Sequence, residues 1–332
     1  MRKVILHIGG PKAASSTIQK YLGQHFCGER GVINHHQQTL KYCRIGPQEK
    51  ISSGRSLYRA HLNSPTGYVA SIPFKSMKSG FVASLDQVLN HVKANEIPIV
   101  SSEGWAASAS AYDLKSRLEQ SDITVDVFFV VRSPIDWINS AWWQWGVWGN
   151  TALDKWIPGM IRAANFYEHY LQWKTIRNVS RIKMVDISQN PVSQFQGFLQ
   201  VEALSTEPAN QGTHPALLEH LVANKDKYNR TIHNPKIEFH FNRALDLPRR
   251  PLPFVISKDW QQYIIEKTAD NSKKLIAEIE RSGSELSPRA KHKFLSAAAY
   301  ADLPVRTMSA IATDEERGEL ITRLMQYAPS LA

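Results

Sequence analysis

Apolar residues fall into short dense runs separated by amphipathic stretches. Val4–His7, Ile97–Glu103, Ile123–Val131 and Arg181–Ile187 read as strands, and the third, ITVDVFFVV, is the strongest in the chain. Helical patterning predicts helices from about Thr17 to Gln24, over Phe81–Asn95 and Ala111–Gln120, and onward from Pro134. Most of Leu153–Ile176 reads as helix, as do Pro191–Gln200, Pro215–Lys227 and Trp260–Arg281. Ser52–Gly80 is polar and turn-rich and reads as loops. Buried strands alternating with helices predict an α/β fold: a central parallel sheet flanked by helices, followed by a helical C-terminal part. Length alone allows one large α/β domain or two smaller ones, and residues 284–332 read as a C-terminal extension of helix or loop.

Ligands of parallel α/β sheets bind at the carboxyl ends of the strands. Three predicted strands end in notable chemistry: His7–Thr17, Ser101–Glu103 and Arg132. The first segment, HIGGPKAASSTIQKYL from His7 to Leu22, reads as strand, glycine turn, lysine, hydroxyl block and helix. A helix N-terminus offers backbone N–H groups and partial positive charge to an anion. Gly9 and Gly10 allow a close turn, Pro11 stiffens it, Lys12 adds a full charge, and Ser15, Ser16 and Thr17 add hydroxyl donors. One hydroxyl suffices for a helix cap, so three beside a lysine favour an anion site over a capped turn. The spacing is not that of an ordinary nucleotide loop: no glycine immediately precedes Lys12, and the hydroxyls begin three residues after it.

The second segment is VVRSPIDWINSAWWQW, Val130–Trp145. Arg132 ends the strongest strand, Ser133 reads as an N-cap, Pro134 as the first helical residue and Asp136 as the acidic residue of the first turn. A guanidinium there and the Ser140 hydroxyl on the helix suit one anionic group, although taken alone Arg132 is better explained by a surface ion pair and Ser140 by a tolerated helix serine.

Composition narrows the classes. The chain has 332 residues, 42% hydrophobic and 21% charged, an ordinary globular balance. No apolar run approaches the roughly 20 residues of a membrane helix. Arg2 and Lys3 precede only a stub of apolar sequence, unlike a signal peptide, and Cys27 and Cys43 imply no disulfide framework, so a cytoplasmic setting is expected. The formal net charge of +10 suits nucleic acid, an acidic membrane surface or a polyanionic small ligand, and equally a moderately basic enzyme. The basic residues are scattered, which argues against nucleic acid as partner. No His/Cys/Asp/Glu cluster has metal-ligand spacing, and adjacent His35 and His36 do not suggest one.

Together the two segments resemble sulfotransferases. HIGGPKAASS resembles the family's 5′-phosphosulfate loop, usually close to His-Ile-Gly-x-x-Lys-Thr-Gly-Thr-Thr. RSPIDWINS resembles its 3′-phosphate element, an Arg-x-Pro followed by a helix carrying serine. Arg181–Gln200 and Ala269–Ile279 are more weakly similar to later parts of bacterial and glycan sulfotransferases. The resemblance implies a P-loop nucleotide-kinase-like fold over 1–283. It also implies 3′-phosphoadenosine-5′-phosphosulfate (PAPS) as donor, the 3′,5′-bisphosphate (PAP) as product, and no metal. It assigns Lys12 to the phosphosulfate bridge. Ser15, Ser16, Thr17 and the backbone from Ala14 onward would hold the 5′-phosphate, and Arg132 and Ser140 the 3′-phosphate. The usual Thr-Gly pair is Ala13-Ala14 here, and alanine resists positive φ.

The expected activity is sulfuryl transfer from PAPS to a hydroxyl or amine of an acceptor, a bacterial, cytoplasmic reaction with a small-molecule or glycan acceptor. Lys12 stabilises the leaving oxygen, and an acceptor hydroxyl calls for a general base. Glu103 is the first candidate, His7 the second, and His35 or His36 the third. Tryptophans 137, 142, 143, 145, 148 and 156 suggest stacking on a sugar, with at least two of them core, so a glycan or glycoconjugate is the favoured acceptor. The alternatives are a non-catalytic or differently specific nucleotide-binding protein and, less favoured, a small-molecule kinase.

Overall fold

The computed structural model describes the chain except residues 1, 11, 29–30, 65, 108–112, 206–211, 233, 249 and 328–332, and the side chain of Arg243. Pro11 and the first two residues of the helix expected over Ala111–Gln120 therefore lie outside the described residues. Strands are β1 (Arg2–His7), β2 (Val32–Ile33), β3 (Thr39–Ile45), β4 (Ile51–Ser53), β5 (Glu96–Ser101), β6 (Ile123–Val131) and β7 (Val179–Asp186). Helices are α1 (Ser15–His25), α2 (Gly54–Leu62), α3 (Phe81–His91), α4 (Leu114–Glu119), α5 (Pro134–Gln144), α6 (Leu153–Met160) and α7 (Phe166–Lys174). They continue as α8 (Pro191–Leu199), α9 (Pro215–Ala223), α10 (Lys236–Leu245), α11 (Lys258–Arg281), α12 (Pro288–Leu295) and α13 (Asp314–Tyr327).

Two compact units divide the chain, and neither is a continuous stretch. The first comprises Met1–Ser133, Asn165–Ala209 and Ala269–Phe294; the second comprises Pro134–Ala164, Asn210–Thr268 and Leu295–Ala332. The first holds the whole sheet, in the order β2-β3-β5-β1-β6-β7, with β4 paired to β3. Strands β3, β5, β1, β6 and β7 run parallel, while β2 and β4 are antiparallel to β3. Every residue of β5 is buried, and every residue of β6 except Thr124, as befits strands covered on both faces. The α/β expectation, a mostly parallel central sheet flanked by helices, is what forms.

Strands β2, β3 and β4 and helices α2 and α10 are absent from the sequence reading, and β3 and α2 show why. Strand β3 is absent from it because Lys41 and Arg44 interrupt the apolar pattern, yet Leu40, Tyr42, Cys43 and Ile45 are buried. Tertiary partners accommodate the two cations: Lys41 pairs with Glu96 at 3.3 Å, and Arg44 Nε donates to the Ala70 carbonyl at 2.9 Å. Helix α2 falls where loops were expected. Its polar sequence buries only Leu57 and His61, and His61 packs where Gly23 of α1 leaves room. Most other elements match the reading to within a few residues, although α9 stops at Ala223, short of Lys227, and α10 was not anticipated.

The second unit is mainly helical. Asn139 and Trp143 of α5 both donate to the Pro253 carbonyl, at 3.0 and 2.7 Å. Arg230, 3% exposed, pairs with Glu238 at 2.6 Å and lies 4.0 Å from the centre of the Trp148 ring. Among the described residues, no helix is long and apolar enough to cross a membrane.

Candidate functional site

In the first unit, β1 lies between β5 and β6, with His7 opposite Ser101 on one side and Phe128 on the other. The carboxyl ends of these strands therefore adjoin, and the segments that follow them meet: the loop 8–14, Ser102–Glu103 and Arg132. Ser102 N–H donates to the His7 carbonyl at 3.1 Å, Ser16 Oγ to Glu103 Oε1 at 3.4 Å, and Arg132 Nη1 to the Lys12 carbonyl at 3.2 Å.

The loop's backbone explains how an anion could be held there. Lys12 (φ 65) and Ala14 (φ 60) are left-handed, whereas Ala13 between them is not. Alternation of this kind turns successive N–H groups toward one concavity, a form that binds anions. Helix α1 follows directly: Thr17 and Ile18 N–H both bond the Ala14 carbonyl, which leaves the earlier N–H groups outside the helical ladder. Carbonyls that would repel an anion are tied back. Gly10 O accepts from Ala13 N–H and Ser15 Oγ, both at 3.2 Å, and Lys12 O accepts from Arg132. Ser15 is thus buried and engaged with the loop itself, while Thr17 is partly exposed.

Ala14 answers the question raised by the missing glycine: the loop keeps its left-handed turn even with a β-carbon in place. Gly9 and Gly10, in contrast, need no left-handed φ. Their requirement is space. A β-carbon on Gly9 would lie 2.7 Å from His7 Nε2 and closer still to Ser15 Oγ, and one on Gly10 would lie 2.6 Å from Phe166 Cε1.

The acid and base candidates separate by environment. Glu103 is half-buried; desolvation raises its pKa above the ordinary glutamate value, and Lys12 and the Ser16 hydroxyl partly oppose that rise. His7 is fully buried beneath the loop, and burial lowers its pKa to about 3, so its imidazole is neutral. Its Nδ1 lies 2.7 Å from Ser101 Oγ, which also accepts from Gln19 Nε2 at 3.1 Å. Ser101 and Gln19 lie inside segments marked in the sequence, Ser101–Glu103 and His7–Leu22, but only the fold brings the two together. His35 and His36 are exposed in the β2–β3 hairpin, at the amino end of β3, so the parallel sheet separates them from the loop. They are set aside as bases on that ground.

Ser140 is buried on α5, in the second unit. Tryptophans 137, 142, 143 and 148 are buried there too, with Trp143 and Trp148 N–H groups on backbone carbonyls; Trp145 and Trp156 are partly exposed. Four of the six rings are therefore core rather than stacking surface. Among the described residues, no group of three or more His, Cys, Asp or Glu side chains is placed to hold a metal ion.

No family model matches the chain, and no curated protein does. Among solved structures, it is similar to a sulfotransferase from Alicyclobacillus acidocaldarius, at 11% identity and a TM-score of 0.44, over 86% of this chain and 98% of that one.

Proposed function

We propose that this chain transfers a sulfuryl group from PAPS to a hydroxyl-bearing acceptor. The observation that carries the reading is the β1–α1 loop: alternating left-handed residues, carbonyls tied back, and Lys12 and Glu103 on adjoining strand ends. In this reading the N–H groups around Ala14–Ser16, with the Ser16 and Thr17 hydroxyls, hold the 5′-phosphate. Lys12 faces the bridging oxygen and Arg132 takes the 3′-phosphate; the part of Ser140 rests on the family resemblance alone.

PAPS supplies an activated sulfuryl group. In-line transfer breaks the bond from sulfur to the 5′-phosphate oxygen and forms one from sulfur to the acceptor oxygen. Lys12 stabilises the charge that returns to the leaving phosphate, giving PAP. The acceptor proton passes to Glu103, whose raised pKa brings a carboxylate nearer the range of an effective base. Charge neutralisation by lysine, arginine and backbone dipoles gives this route no step that needs a metal. A glycan or glycoconjugate is the acceptor class we favour, on the resemblance rather than on the tryptophans.

Titration calorimetry with adenosine 3′,5′-bisphosphate in EDTA tests the donor assignment. Binding that is lost in Arg132→Ala supports it, and ATP binding in its place refutes it. Turnover of labelled PAPS over a panel of glycans, repeated in Lys12→Ala, then separates an enzyme from a binder that has lost its chemistry.

A further inference from the structure

The polar groups beneath the loop form a chain that the proposed reaction does not use. His7, Ser101 and Gln19 are each fully buried, and each comes from a different element: β1, β5 and α1. Gln19 donates an N–H to Ser101 Oγ. A serine hydroxyl has one hydrogen and two lone pairs; with Gln19 on one lone pair, giving that hydrogen to His7 Nδ1, 2.7 Å away, makes Nδ1 the acceptor. Accepting at Nδ1 places the imidazole proton on Nε2. That Nε2 is buried without a hydrogen-bond partner and lies 2.7 Å from the β-carbon position that Gly9 leaves empty, with Ser15 Oγ nearer still to the same position. Ser15 Oγ in turn donates to the Gly10 carbonyl.

We infer that His7 is a positioning residue for the anion loop: its Nε2–H, fixed by Ser101 and Gln19, is the donor that supports Ser15 Oγ when the loop is loaded. The physical need is plain. Ser15 Oγ gives its one hydrogen to the Gly10 carbonyl, and a donor behind that oxygen keeps it, and so the tied-back carbonyl, in place while an anion occupies the loop. An unpaired buried N–H is costly, so it is retained where an occupied state gives it a partner. This role rests on the sulfuryl-donor reading for the identity of the anion, though not for the direction of the donor chain.

The test compares His7→Gln with His7→Asn in the full chain. A glutamine amide reaches the Nε2 position and an asparagine amide does not, while both remove the ring and its contacts with Phe128 and Phe195. The expected result is a similar loss of thermal stability in the two variants. His7→Gln then binds adenosine 3′,5′-bisphosphate nearly as wild type does, and His7→Asn binds about tenfold more weakly. Equal weakening in both variants overturns the inference, since it reports only lost packing. NMR of ring-labelled histidine in the wild-type protein decides the same question without a nucleotide: an Nε2–H tautomer that does not titrate between about pH 5 and 8 supports it. An Nδ1–H tautomer, or titration in that window, overturns it. If wild type binds no bisphosphate, the donor reading fails, and the NMR result still judges the positioning role.

Discussion

Ala14 holds φ 60 and ψ 11 at the start of α1, with no side-chain cap bond to compensate. A left-handed L-residue costs roughly 1–2 kcal/mol, and glycine's extra freedom in the unfolded chain costs about 0.5–1. Relief of strain therefore wins, and Ala14→Gly should raise unfolding free energy by up to about 1 kcal/mol in urea. Ala13→Gly should lower it, because Ala13 is buried with an ordinary φ. The opposite signs at neighbouring alanines are the check; equal signs would mean that the loop does not keep this turn in solution. Glu103 makes a second residue-scale prediction. Its raised pKa means that the folded state holds the proton to higher pH than the unfolded chain does. Stability from this group is present below the ordinary glutamate range and falls as pH rises through the shifted value. Glu103→Gln should therefore raise the melting temperature at pH 7.5 more than at pH 4. In the proposed reaction the same substitution removes the base, so turnover should drop on the order of a hundredfold or more; full retained activity would remove Glu103 from that role.

At the scale of elements, the loop is shaped by what packs beneath it. Phe166 begins α7 and stands against Gly10, and it also meets Phe129 of β6 edge-on at 6.0 Å. Gly10→Ala should therefore destabilise by about 1–3 kcal/mol through overpacking. The cost should shrink in the Phe166→Leu background, and a double-mutant cycle by urea denaturation reads that coupling. On α5, Trp143→Phe should cost about 0.5–1.5 kcal/mol from the lost hydrogen bond, since the Pro253 carbonyl loses its 2.7 Å donor but keeps Asn139. Strong elements were legible in sequence for a clear reason. Strands β5 and β6 are buried on both faces and so appear as unbroken apolar runs, and α5 opens with Pro134 just after a serine. Strand β3 was not legible, because Lys41 and Arg44 find their partners on other segments: Glu96 at the start of β5, and the Ala70 backbone. Helix α2 was not legible because few of its side chains are buried.

For the whole molecule, the net charge of +10 predicts that binding of a polyanionic nucleotide weakens as salt rises, and neutralisation by Lys12, Arg132 and backbone N–H groups in the proposed site predicts indifference to EDTA. Calorimetry at low and high sodium chloride, with and without the chelator, checks both halves; a requirement for magnesium would favour a kinase instead. The division into units shows where a linear reading ends. Each unit is assembled from three separated stretches of chain, and α11 contributes residues to both. Such a division depends on long-range contacts, which composition and periodicity do not encode. The sequence by itself determined the parallel α/β class, the principal strands, and the loop with its lysine and hydroxyls, because these follow from local apolar patterning and residue chemistry. Tertiary structure alone decided the rest. Strand order brings Glu103 and Arg132 to the loop; burial makes His7 neutral and turns four tryptophans into core; and close packing, rather than ligand approach, sets the demand for Gly9 and Gly10. Each of those outcomes depends on neighbours distant in the chain, and only the folded chain supplies them.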